Sequence, residues 1–391
     1  MNVAFVTAEY PPKNIGGAGI SSKLIVDELR RQDVSTDVFV LNGDDRQVNR
    51  ISSNRYEHPS GGAYPVPEEI GENLSVLHTL SDLAEYDVVH SYNTGHLPAV
   101  VARASPPVVA TINNHMWVCV DPTQFLKDGC PPSNPRQVYR YAGTAGYSGI
   151  RRIGRVGLEY LGRSMAKRAD AITVQNEGMK HVLSRCGYAV DTISVIPNLV
   201  DPQFFVENDG TEADEKRTLV FLGRLVENKG PVHAANAFVD LPRDIHRNWE
   251  FHIYGQGPQA STIERLIDTS PAEVDIELKY SPYPELPAVY RSADALFHAS
   301  RYTEPFSRTW LEAMASNTPI ICSRNPSSEA VLSDVAVLYD LFDEGEPQAT
   351  LADVLRRDDL QRLARKGREL IERYRPAVVC TEYIDLYEDV I

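Results

Sequence analysis

Short apolar runs alternate with helix-like stretches along the chain. VAFVTAEY is an N-terminal strand, PPKNIGGAG a turn, SSKLIVDELRRQ a helix and DVFVL (37–41) a second strand. A strand–helix–strand opening predicts a parallel sheet covered by helices. YDVVHSY (86–92), VVATIN (108–113) and ADAITVQNE supply further strands, a helix containing HVLSRCG follows, and strand ISVI with turn PNLVD closes this half. Residues 42–75 are polar and rich in Ser, Asn, Gly and Pro, and read as a long loop or insertion; the acidic segment 207–217 reads as a linker. The pattern then restarts: TLVFLGRLVENKG (218–230), WEFHIYGQGP (249–258), ADALFHAS (293–300) and PIICS (319–323) each contain a strand. RYRPAVVCTEYIDLYEDVI is a terminal helix that Pro376 separates from a helix at 359–373.

The stretch SRYTEPFSRTWLEAMASNTP (300–319) predicts a loop entering a helix, with Pro305 in the first turn and Asn317 and Pro319 at the exit. Phe306, Trp310 and Met314 form an apolar stripe at four-residue spacing, and Glu304, Arg308 and Glu312 share another face. The opening amides of Phe306, Ser307 and Arg308 offer an anion seat. A solvated helix face with a capped end accounts equally well for this stretch taken alone.

Length changes the picture first: 391 residues exceed one ordinary core, so two domains are expected. Hydrophobic content of 42% and charged content of 24% are those of a soluble globular protein. No apolar run reaches membrane-span length, and MNVAFVTAEY lacks a basic leader, so the cytoplasm is the expected compartment. A net charge of −15 argues against general nucleic-acid binding. Five cysteines, an odd number, make no disulfide framework. Cys119 and Cys130 flank VDPTQFLKDG and suit a local crosslink or inert packing better than zinc. Residues 151–168 reverse the local charge, with six basic residues against one acidic, interleaved with Ile153, Val156, Leu158 and Leu161. They read either as a solvated helix or as a surface for anionic lipid or a phosphate-bearing acceptor.

Polar residues gather at the carboxyl ends of the predicted strands, where such sheets bind ligands. Gly16 and Gly17 make either a plain turn or a loop whose backbone approaches a phosphate or sugar. His90, Tyr92, Asn93 and His96, then Asn113, Asn114 and His115, end two strands of the first half. In the second half Arg224 and Lys229 follow one strand and residues 304–308 follow another. Two cations beside aligned amides suit a diphosphate. GxGxxG is absent, which disfavours a dehydrogenase.

Together these motifs closely resemble the large GT-B retaining glycosyltransferase family usually numbered four. Glu304 and Glu312 match its E-x7-E pattern, GRLVENKG resembles its diphosphate loop, and YGQGP, PNLVD and YPPKNIGGAG match in order. The resemblance implies an α/β chain of two Rossmann-like domains facing across a cleft. Residues 1–197 form the acceptor domain, 198–372 the nucleotide-sugar donor domain, and 373–391 a helix returning to the first. It implies that Arg224 and Lys229 hold the diphosphate, assisted by Phe306 and Ser307, and that Glu304 sits by the donor sugar and Glu312 by the ribose. Gly16, Gly17 and Gly255 complete the implied donor set, Arg308 after Ser307 is a further candidate phosphate ligand outside the family pattern, and the catalytic candidates are Glu304, His115 and Asn113. The implied reaction is retaining, uses a nucleotide-diphosphate sugar and a glycan, lipid-linked or protein-linked acceptor, and needs no cofactor or metal; there is no D-x-D. Contact through 151–168 would bring the protein to the cytoplasmic face of an anionic membrane. Three departures stand out: Asn113 where the family commonly has His, with His115 two residues on; Ser307 for the usual Gly after EPF; and RNPSSE (324–329) for a Gly-Gly turn. The first leaves open a nucleotide-sugar-binding protein without turnover, and a phosphorylase-like enzyme of the same fold is a further alternative.

Overall fold

The computed structural model describes residues 1–391 except 12–15, 43–48, 51–65, 81–82, 93–94, 207–215, 344 and 358. Its strands are β1 (Asn2–Glu9), β2 (Ser35–Asn42), β3 (Asn49–Arg50), β4 (Val88–Ser91), β5 (Val108–Thr111), β6 (Ala171–Val174), β7 (Ile193–Val195), β8 (Arg217–Leu222), β9 (Trp249–Tyr254), β10 (Ile276–Lys279), β11 (Ala295–His298), β12 (Ile320–Ser323) and β13 (Ala336–Tyr339). They form a seven-stranded sheet ordered β3-β2-β1-β4-β5-β6-β7 and a six-stranded sheet ordered β10-β9-β8-β11-β12-β13. Every pairing in both is parallel. Parallel strands covered on both faces read as nearly continuous apolar runs. VVHS, VVAT, AITV and ALFH are accordingly buried at all four positions, the few polar side chains at their ends included.

The chain divides into two units, Met1–Leu199 with Pro376–Ile391, and Val200–Arg375. The terminal helix Pro376–Val390 begins at the proline, after Arg375 in extended conformation. It packs on the helix Gly17–Arg31 and buries Val379, Cys380, Tyr383 and Tyr387 against the first sheet's core.

Two expectations are corrected. The polar stretch 42–75 is not one long loop: a helix spans Val66–Thr79, with Ile70, Leu74 and Leu77 at helical spacing; residues 43–48 and 51–65 lie outside the described residues. Four-residue β10 and β13, absent from the sequence reading, complete the second sheet at its edges, where short strands carry a weak apolar signal.

His90, read as one of several polar strand ends at a site, is instead a buried tie. Its Nδ1 lies 2.6 Å from the Tyr387 hydroxyl and its Nε2 2.7 Å from Thr111 Oγ1. Burial lowers its pKa from 6.5 to about 3, so the ring is neutral in the native state. Between those values the unfolded chain binds a proton that the folded chain does not, so stability falls as pH drops below 6.5. Unfolding at pH 5 should therefore be easier than at pH 7 by about 2 kcal/mol from this group, at ~1.4 kcal/mol per pH unit. His90→Gln should flatten that slope in denaturant titrations; an unaltered slope would refute the assignment.

Candidate functional site

The second sheet reverses its winding between β8 and β11, and a crevice at the carboxyl ends of such a pair is the usual ligand site of doubly wound sheets. Here two loops meet. After β8 the chain runs through exposed Arg224 to Lys229 and Gly230. Gly230 has φ +70°, and a Cβ on it would stand 2.1 Å from the Ala299 carbonyl. Arg301 N donates to Asn228 O at 2.8 Å. This close backbone approach brings Lys229 onto the loop that follows β11.

Lys229 Nζ donates to Glu304 Oε1. The other carboxylate oxygen accepts from Ser300 Oγ at 2.5 Å and lies 3.2 Å from His298 Nε2. Lys229 also sits 5.4 Å from the Tyr302 ring centroid. Burial alone would raise the Glu304 pKa, but Lys229 and then His298 outweigh it and hold the carboxyl well below its usual range. Burial would likewise lower the Lys229 pKa, and Glu304 reverses this. The site thus holds a charged pair ready at neutral pH. Although it lies on a loop, Glu304 is only 3% exposed.

The helix begins later than its sequence pattern implies. It spans Arg308–Ala315 with Ser307 as N-cap, so Pro305 and Phe306 belong to the preceding loop. Its opening amides are those of Ser307, Arg308, Thr309 and Trp310, not Phe306. Glu304 therefore shares no helical face with Arg308 and Glu312. Phe306 still packs on Trp310, with ring centroids 5.7 Å apart, within the second core. The exit matches expectation, with Asn317 in the left-handed region at φ +54°.

Arg308 and Glu312 belong to a second network. Arg308 Nη2 donates to the Tyr283 hydroxyl at 2.8 Å, and its Nε is 3.6 Å from Glu312 Oε1. Tyr290 OH donates to Glu312 Oε2 at 3.0 Å, and Tyr283 OH to Asp201 Oδ2 at 3.2 Å. Burial raises the Glu312 pKa, with Arg308 and Tyr290 opposing. Ser307 Oγ is 3.2 Å from His298 Nε2. The loops after β8 and β9 are tied by Gly223 N to Tyr254 O at 3.1 Å and Leu225 N to Gln256 O at 2.8 Å, with Gly255 between them. Sequence reading missed His298, Ser300, Tyr283 and Tyr290. Only the alternation of His298 and Ser300 beside Ala299 at a strand end signalled any of them.

In the first unit the winding reverses between β1 and β4. Gly16 caps the helix Gly17–Arg31 just after β1, and a Cβ on it would stand 2.7 Å from Glu9 Oε2. Asn113 Nδ2 donates to Tyr92 O at 2.8 Å, so this side chain joins the segments after β4 and β5. His115 is buried with its ring on Phe125, and Asn93 lies outside the described residues. All five cysteines are free, so Cys119 and Cys130 are not paired. Residues 151–168 fall mostly on the helix Gly149–Ala166. Arg155 and Arg163 are withdrawn from its surface into ion pairs with buried Glu159, whereas Ile150, Ile153 and Leu161 are exposed. Among the described residues no helix is long and apolar enough to cross a membrane, and no three His, Cys, Asp or Glu side chains group as a metal site.

Two doubly wound parallel units of this kind make the GT-B fold, and solved structures of that fold align along the whole chain. Sucrose-phosphate synthase from Thermosynechococcus elongatus superposes with a TM-score of 0.77 at 16% identity, covering 99% of this chain and 98% of that one. Anabaena HepE in complex with UDP and glucose gives 0.70 at 14% identity, covering all of both chains. The model of Glycosyltransferase Family 4 matches residues 15–204, and that of Glycosyl transferases group 1 matches 204–369. The chain belongs to this family of glycosyltransferases. D-inositol 3-phosphate glycosyltransferase of Corynebacterium efficiens is 24% identical over 433 aligned positions, covering 100% of this chain and 95% of that protein. An uncharacterised glycosyltransferase of Methanocaldococcus jannaschii is 26% identical, covering 83% and 80%.

Proposed function

We propose that this glycosyltransferase is retaining and metal-independent, and moves a sugar from a nucleotide-diphosphate donor to a glycan, lipid-linked or protein-linked acceptor in cell-envelope glycan or glycoconjugate synthesis. The Lys229–Glu304 pair at the β8/β11 switch point, with its carboxylate buried, carries the reading. As the bond from the anomeric carbon to the diphosphate oxygen breaks, negative charge gathers on the leaving group and positive charge on the carbon. Lys229 and Arg224 stabilise the first, and Glu304 lies by the sugar. Lys229 is held in place by Glu304, so its charge needs little reorganisation during reaction. The acceptor oxygen attacks from the face the diphosphate leaves, and its proton passes to the departing phosphate, so configuration is kept. Glu312, held by Tyr290 and Arg308, takes the ribose. A relative solved with UDP and glucose supports a uridine donor as first choice, and an inositol phosphate is a reasonable probe acceptor from the name of another.

The test is nucleoside diphosphate release from uridine, guanosine and adenosine diphosphate sugars in the presence of chelator, with the product anomer read by NMR. Release from one donor with configuration retained is expected. Release only on adding a divalent ion would overturn metal independence. Tight donor binding without release would favour a nucleotide-sugar-binding protein, the alternative that Asn113 motivates.

The acceptor side carries a finer reading, peripheral contact with an anionic membrane. Ile150, Ile153 and Leu161 are 81%, 59% and 60% exposed; Arg151 is exposed beside Ile150, and Lys167 and Arg168 are exposed just past the helix's C-terminal end. An exposed apolar stripe edged by cations suits an anionic interface. Arg155 takes no part, since Glu159 holds it inside. Replacing Ile150, Ile153 and Leu161 with Ser should reduce flotation with phosphatidylglycerol-rich vesicles at least tenfold. Equal flotation would remove membrane contact through this helix.

A further inference from the structure

The helix Gly149–Ala166 carries a charged ladder that donor chemistry does not use. Arg155, Glu159 and Arg163 recur every four residues on its inner face, none more than 4% exposed. Arg155 Nη2 donates to Glu159 Oε2 at 2.8 Å, and Arg163 Nε to Glu159 Oε1 at 3.2 Å. Arg163 then reaches off the helix, giving Nη2 to Val118 O at 2.5 Å and Nη1 to Pro132 O at 3.2 Å. Stability alone is a weak reason for burying three charges, because apolar side chains of similar volume often do as well. What apolar side chains cannot do is grip two carbonyls.

The gripped segment leaves β5 and carries Asn113, Asn114 and His115. Its Trp117 is 1% exposed with φ +60°. A bulky residue in the left-handed region persists only where its surroundings over-determine it. Here they do. Gly162 leaves the room, since a Cβ there would stand 1.9 Å from the Trp117 ring. Tyr188 OH donates to Trp117 O at 3.2 Å, and the Arg155 guanidinium lies 5.6 Å from the ring centroid. The amides of Val118 and Cys119 both donate to His115 O, at 3.0 and 2.8 Å. The carbonyl that Arg163 holds thus belongs to the turn that closes on His115.

We infer that Glu159 and Arg163 are positioning residues for transfer: they touch no substrate and hold the segment 113–119 so that Asn113 and His115 keep their places. This rests on the proposed transfer reaction. The test uses the full chain, with uridine diphosphate glucose, guanosine diphosphate mannose and adenosine diphosphate glucose as probe donors and D-inositol 3-phosphate as probe acceptor. Glu159→Gln should cut kcat at least tenfold while donor KM stays within twofold, because the donor loops lie in the other unit. Arg163→Lys, which can still reach one carbonyl, should recover part of that loss relative to Arg163→Met. Tyr188→Phe removes one tie to Trp117 with little change in packing; it should lower kcat about threefold at nearly unchanged Tm, so the idea stays testable if Glu159→Gln does not fold. Unchanged kcat per folded molecule, or kcat falling only in step with folded fraction, would overturn the positioning role alone. A wild type without turnover on any probe would instead overturn the transfer reading, and the role with it.

Discussion

Lys229→Ala should lower transfer about 100- to 1,000-fold, the loss typical of removing one preorganised group that stabilises charge in the transition state, ~3–4 kcal/mol. In the proposed mechanism the variant loses a cation that stabilises the leaving diphosphate. It also leaves Glu304 buried, with only Ser300 and His298 as polar partners among the contacts described above. Removing one member of a buried pair costs about 3–5 kcal/mol when the orphan stays charged. Glu304 has an alternative, which is to take up a proton. The pair holds the Glu304 pKa low, so its contribution to stability is present above the unfolded carboxyl's 4.5 and disappears only as pH falls through the depressed folded value. Without Lys229 the remaining burial pushes that pKa up, and acid sensitivity should move toward neutral pH. Steady-state kinetics and thermal unfolding at pH 5 and 7.5 check both effects. Lys229→Arg separates charge from shape, because a planar guanidinium cannot occupy the compact ammonium's position. Turnover of Lys229→Ala within threefold of wild type would deny the pair its place in the chemistry.

Gly255→Ala should weaken donor binding at least tenfold and lower Tm, although it adds one methyl group at no charged position. The added carbon would stand 1.9 Å from the Gly223 carbonyl oxygen and 3.2 Å from Leu225 Cδ2. A backbone oxygen cannot swing aside as a side chain end can, so the loops after β8 and β9 must part. Their ties, Gly223 N to Tyr254 O and Leu225 N to Gln256 O, flank Arg224 directly. Overpacking a tight site costs typically about 1–3 kcal/mol, and a clash with main chain belongs at the upper end. Calorimetric titration with the donor and a melting curve test this together. Unchanged affinity and Tm would mean the two loops can separate freely, and that Arg224 does not depend on their contact.

Much of the fold was legible because its signals are local. Buried parallel strands write themselves as apolar runs, and the alternation of strand and helix names the class. The EPF and GRL…KG stretches each sit at a strand end, so sequence alone puts both at the carboxyl edge. The chain by itself also marks Pro376 as a break. What it could not supply is distance between remote residues. Lys229 and Glu304 are 75 positions apart, and only the adjacency of β8 and β11 makes them a pair and Glu304 a buried ion. His90 and Tyr387 are 297 apart, and their bond turns a promising strand-end histidine into a tie for the terminal helix. The run 151–168 shows the same limit from the other side: its basic residues look alike in sequence, and tertiary packing sorts them into exposed cations and a buried ladder. Periodicity tells which residues share a face. Which face is desolvated, and which charges must therefore find each other, is decided only when the elements pack.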